Sequence, residues 1–79
     1  MVPTPLRIGP YRFFFYANDR EEPSHVHVQR DRHTAKFWID PVMIDRSGRF
    51  RPDELLAIQK IIKRNKIKLL KAWHEYFDD

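Results

Sequence analysis

The chain predicts an α+β fold: a small antiparallel sheet of three to five strands, with one or two C-terminal helices packed on one face. Three observations lead there. The first part of the 79 residues is rich in aromatic and β-branched side chains, and the last part in Leu, Ile and Lys. The stretches "HVHVQR" and "TAKFWI" flank a short polar connection, as hairpin strands do. From Leu55 the apolar residues recur at helical spacing. Pro52 lies near the change, so a single domain divides into a β-rich part, 1–51, and a helical part, 52–79.

A chain of this length buries only about 60–65% of its unfolded surface. It has no cysteine, so neither disulfides nor a thiolate-bound metal help it. Six Phe, three Tyr and two Trp answer the small-core problem, because each ring buries roughly 150–250 Å². No apolar run reaches the roughly 20 residues that cross a bilayer. The start "MVPTPLRIGPYRFFF" lacks a signal-peptide pattern, since Arg7 and Arg12 interrupt it. A cytoplasmic protein with no membrane partner and no cofactor is the expectation. The net charge of +4 permits an anionic partner without demanding one.

"YRFFFYAND" reads as the first strand. Phe13 and Phe15 fall on one side and Phe14 and Tyr16 on the other, so both faces should be covered at least in part. Asn18 and Asp19 end it, and "NDREEPS" is a turn or loop. "HVHVQR" and "TAKFWI" are the next two strands. If Asp31-Arg32 is the loop, Arg30 faces His33, Val28 faces Ala35 and Val26 faces Phe37. Gln29 then faces Thr34, His27 faces Lys36 and His25 faces Trp38. Every apolar residue except Trp38 shares one face, and a slip of one residue would scatter that set. Asp-Arg lacks the glycine favoured in two-residue hairpins, so a longer loop remains open.

Asp40-Pro41 starts a turn, "VMID" is a short strand, and Ser47-Gly48 is a second turn before a returning strand at Arg49 and Phe50. The helical part opens with Pro52 in the first turn. Asp53 and Glu54 complement the helix dipole. Leu55, Ile58, Ile61 and Ile62 form its apolar stripe. Asn65 marks a break or kink, because asparagine both closes helices in the left-handed conformation and caps new ones. A second helix from Lys66 to about Phe77 carries Leu69, Leu70, Trp73, Tyr76 and Phe77. One unbroken helix is the alternative. Trp73 is read as core, docking the second helix on the sheet.

Four pieces in order carry a family resemblance: "YANDREEPSHVHV", "FWID", "RPDELLAI" and "KLLKAWHEY". Together they resemble small bacterial proteins known only as a domain of unknown function, family four-one-six-zero, with its Pro-x-His-x-His strand motif. The likeness covers nearly the whole chain. It departs at "QRDRH", where the family shows a glycine-rich turn. The resemblance implies this fold and a small protein partner encoded nearby, since members often sit in gene pairs like those of toxins and antitoxins. It implies no catalytic mechanism.

Residues i and i+2 on a strand point the same way, about 6.5–7 Å apart, so His25 and His27 share a face. Three roles fit them. The favoured one is structural or partner-contacting, on the less buried face beside Lys36 and Trp38. The second is acid–base or RNA chemistry, because imidazole titrates near pH 6.5. There His25 and His27 exchange protons, Lys36 holds a phosphate and Trp38 stacks on a base. The third is metal binding by His25 and His27, which needs another ligand. Asp19, Glu21 and Glu22 lie in the preceding turn. His33 falls on the opposite face from His25, and His74 is on the last helix.

Lys60, Lys63, Arg64, Lys68 and Lys71 make the stretch 60–71 basic, with Lys66 among them. Such a patch binds phosphates through counterion release. A solvated helix face explains it as well.

The favoured function is therefore a protein-interaction module in a toxin–antitoxin-like pair. Its binding surface is the sheet face the helices leave open: Phe14, His25, His27, Lys36 and Trp38. The alternative is a nucleic-acid-binding protein or small ribonuclease using His25, His27, Lys36 and the basic residues.

Overall fold

The computed structural model describes residues 4–77. Five strands form one antiparallel sheet: β1 (Leu6–Ile8), β2 (Tyr11–Phe14), β3 (His25–Arg30), β4 (His33–Ile39) and β5 (Val42–Arg46). They pair strictly in chain order, so β1 and β5 are the edges. Two helices follow, α1 (Pro52–Arg64) and α2 (Lys66–Phe77), which matches the α+β expectation. No helix among the described residues is long and apolar enough to cross a membrane.

The β3–β4 register is the expected one at all six pairs, from His25 opposite Trp38 to Arg30 opposite His33. Asp31 takes a positive φ of 56°. Asp and Asn tolerate this region better than most residues, so the two-residue loop forms without glycine.

The ladder assigns the two faces. One bears Leu6, Phe13, Val28 and Ala35 in one cross-strand row and Val26, Phe37 and Ile44 in the next. Against it pack Ile58 and Ile62 of α1 and Leu69, Trp73 and Phe77 of α2, all buried. The α1 stripe is the expected one: Ile58 and Ile62 are enclosed, and Leu55 and Ile61 pack at its borders. Arg30 reaches the first turn of α1, where its guanidinium donates to Glu54 from Nε at 2.6 Å and from Nη2 at 2.9 Å. The Tyr11 hydroxyl donates to the same carboxylate at 2.7 Å.

Three details differ from the sequence reading. The first strand of "YRFFFYAND" ends at Phe14, and Ala17–Glu21 winds into a 3-10 turn. A strand precedes it: Leu6–Ile8 pairs with Tyr11–Phe13 across Gly9-Pro10. Arg49 and Phe50 form no strand; Phe50 is instead a buried core residue.

The helices do break at Asn65, but not through a left-handed residue, since its φ is −114°. Its side-chain Nδ2–H donates to the Ile61 carbonyl at 2.8 Å, and its own carbonyl accepts the Leu69 N–H at 2.9 Å. One residue thus closes α1 and opens α2.

Candidate functional site

The sheet face away from the helices carries two cross-strand rows. Phe14, His27, Lys36 and Arg46 form one, and His25, Trp38 and Met43 the other. All five residues expected to share a surface do share this face.

It is not an open surface, however. His25 is 0% exposed, Phe14 3% and Lys36 8%. After β2 the chain turns and lays the 3-10 turn back over the histidines. Tyr16 meets His27 edge-on with centroids 4.6 Å apart, and the Arg12 guanidinium lies 4.3 Å over the Phe14 ring. Trp73 of α2 reaches the His25 ring from the other side, at 5.2 Å. That face is still the less buried of the two, with His27 and Trp38 partly exposed and Met43 and Arg46 exposed, but the segment read as a turn or loop is a lid of aromatic and acidic side chains that encloses His25 and Phe14.

Asp19 organises the lid and is itself nearly buried. Its Oδ2 accepts the Tyr16 backbone N–H at 2.7 Å, tying the turn to its own start, as a helix-capping carboxylate does. The same Oδ2 lies 3.0 Å from His27 Nε2. Its Oδ1 stands 3.1 Å from His25 Nε2. Burial holds the His27 ring below the ordinary imidazole range, and the Asp19 charge opposes this only in part. A carboxylate oxygen can only accept, so in this contact His27 Nε2–H is the donor to Asp19.

Lys36 is committed elsewhere. Its ammonium donates to Glu22 Oε1 at 2.5 Å, lies 3.5 Å from Asp45 Oδ2, and sits 4.6 Å over the Trp38 ring. Lys36 in turn holds the Glu22 carboxyl below the ordinary carboxylate range. Two carboxylates thus already answer the cation assigned to phosphate.

Beside His27 a half-open cleft of about 290 Å³ is lined by Tyr16, Thr34, Lys36 and Arg46. That is at the lower limit for small-molecule sites, which run roughly 300–1,000 Å³. It suits water, a small ion or an inserted side chain better than a cofactor.

His33 lies with the helix side, its ring 5.6 Å from Phe50, as the register requires. His74 is exposed on α2. Lys60, Lys63, Arg64, Lys68 and Lys71 are all exposed and make no ion pair among the described residues, whereas Lys66 pairs with Asp40 at 2.9 Å.

A family model described as "Domain of unknown function (DUF4160)" matches residues 11–74. The chain belongs to that family. The DUF4160 match runs from β2 to the last turns of α2, so it contains Asp19, both histidines, Lys36 and Trp38. It does not include β1. No curated protein and no solved structure matches the chain.

Asp19 was considered only as a further ligand in the preceding turn, and Tyr16 and Arg46 were not among the expected site residues. Asp19 had a readable signal: it stands three residues after Tyr16, at the spacing of a carboxylate that caps its own turn. Tyr16 and Arg46 become neighbours only through the fold.

Proposed function

We propose that the chain is a protein-interaction module that takes an extended segment of a second small protein along the outer edge of β5. The contrast between the two sheet edges carries this reading. β1 has three residues with an exposed Arg7 at its centre, a short, charged edge of the kind that resists pairing. β5 has five residues, and Met43 and Ile44 are 53% and 39% exposed. Its free N–H and C=O groups are a template for strand addition. Met43 continues the row of Trp38, so an added strand would also meet part of the surface expected from sequence.

The partner segment is apolar with acidic flanks. Arg46 ends β5 and Arg49 and Arg51 follow it in the chain, all three exposed, and complementary charge directs encounter and register. A gene-paired partner is the class the family resemblance implies.

A second reading rests on the five cations of α1 and α2 that make no ion pair among the described residues, which suit a polyanion. The ribonuclease form of that reading is the less favoured, since His25 is enclosed and Lys36 is paired with Glu22.

Co-expression with the product of the adjacent gene tests both. The expected result is a stoichiometric complex whose amide-exchange protection falls on β5, and which Met43→Glu/Arg46→Glu abolishes. Protection at α1 and α2 instead, with polyanion retention lost on Lys63→Glu/Arg64→Glu, favours the second reading. Concentration-dependent protection of β5 in the isolated chain means that a second copy occupies the edge, and it overturns the partner proposal. So does the absence of any complex.

A further inference from the structure

We propose that Asp19, His25 and His27 form a binding site for a divalent transition metal of the zinc class. Two observations independent of each other meet there.

The first is geometric. One ligand atom from each residue, a carboxylate oxygen and two imidazole nitrogens, lies within 4.8 Å of the other two. The Asp19 oxygens are 3.1 Å from His25 Nε2 and 3.0 Å from His27 Nε2. Ligands about 2.0–2.1 Å from a tetrahedral zinc stand about 3.4 Å from one another. Small side-chain adjustments therefore admit the ion. The positions are also well supported. Both histidines sit on a central strand of the sheet, and Asp19 is fixed by the Tyr16 N–H.

The second is an unsatisfied atom. His25 Nδ1 lies 2.9 Å from the Pro23 carbonyl, which can only accept, so Nδ1 carries the hydrogen. The neutral ring then turns the lone pair of Nε2 toward Asp19. That Nε2 is buried and has no hydrogen-bond partner among the described residues, although the carboxylate is close. A buried lone pair facing a carboxylate oxygen is unfavourable unless a positive centre lies between them. A backbone carbonyl that fixes one ring nitrogen while the other points at a metal is the usual support for a histidine ligand.

Charge favours a cation as well. Asp19 and Glu22 flank the site, with Glu22 Oε1 3.8 Å from His25 Nε2, while Lys36 is shared between Glu22 and Asp45. Two imidazoles and one carboxylate are donors that suit zinc, cobalt and iron better than calcium or magnesium. Three protein ligands leave the fourth position of a tetrahedral ion open, and one of the three, His27, also lines the neighbouring cleft.

The simplest rival is a proton: an imidazolium at His25 paired with Asp19. The two are separated by titrating the full, tag-free, chelator-treated chain with zinc, and with cobalt(II) as a spectroscopic probe. The expected result is one ion per chain and intense visible absorption from four-coordinate cobalt. Asp19→Asn and His27→Gln should each weaken binding at least tenfold, while His74→Ala on exposed α2 leaves it unchanged. Far-UV circular dichroism of the metal-free variants confirms that they fold; a variant that does not is replaced by His25→Gln. Absence of one-to-one binding, or binding that folded Asp19→Asn and His27→Gln both retain, overturns the proposal in favour of the proton.

Discussion

Gly48→Ala is the sharpest test of how the 47–50 turn is seated. Gly48 has a φ of 59°, and a Cβ built there would lie 2.9 Å from the Thr34 carbonyl carbon, with the carbonyl oxygen nearer still. Both obstacles are backbone atoms of β4, so no side chain can swing aside. The conformation alone costs an alanine about 1–2 kcal/mol. Relieving the contact moves the turn off β4. That strains the Phe50 N–H bond to Ser47, at 3.2 Å, for about 1 kcal/mol. It also begins to expose the buried Phe50 ring, whose full burial is worth about 1.5–3 kcal/mol. About 3–4 kcal/mol in total is a large part of the roughly 4–12 kcal/mol expected for a chain of this length. Gly9 supplies the control. Its φ is 54°, but its Cβ would meet open space, so Gly9→Ala should cost only the conformational 1–2 kcal/mol. Urea unfolding followed by circular dichroism gives both values. In thermal melts the Gly48 variant should fall by about 12–30 °C, at about 4–8 °C per kcal/mol. Equal costs for the two glycines, within about 0.5 kcal/mol, would refute the close approach of turn and strand.

The Glu54 clamp predicts a pH dependence. Side-chain bonds from Arg30 first, and then from Tyr11, hold the Glu54 carboxyl below its ordinary 4.5. A carboxyl whose folded value is depressed stabilises above its unfolded value, and that gain is lost as pH falls through the folded one. Wild type should therefore exceed Glu54→Gln in stability at neutral pH and lose that advantage as pH falls through the depressed folded value; a gap that persists unchanged into strong acid contradicts the clamp. Asn65→Ala removes the 2.8 Å bond to Ile61 while keeping the backbone bonds at the helix end, so it should cost about 0.5–1.5 kcal/mol by urea unfolding. Gained helicity together with unchanged stability would mean that the break does not depend on the Asn65 side chain.

The parts legible in sequence were those fixed by local chemistry or by a repeating pattern. The β3–β4 register followed from period-two alternation, because only one pairing puts Val26, Val28, Ala35 and Phe37 together. The bounds of both helices followed from Pro52, Asn65 and the apolar spacing. β1 was missed because three residues are too few to show alternation, although Gly9-Pro10 is a turn signal. The lid was missed for a different reason. "ANDREEPS" is polar, and polar segments are ordinarily solvated loops. What buries Asp19 is its own bond to the Tyr16 amide together with the two imidazoles beyond, a tertiary closure that no local pattern encodes. The five residues do share one sheet face, but whether a group is presented or enclosed depends on what the rest of the chain lays over it.

The unequal borders of the sheet also govern how large any association can grow. A fibre assembled strand by strand needs every molecule to offer two receptive rims, one to join by and one to be joined at. Here β1 is three residues long with an exposed arginine at its middle, so under the docking proposed for β5 the molecule would act as an end-stop: a segment bound on the far rim would complete the array instead of extending it.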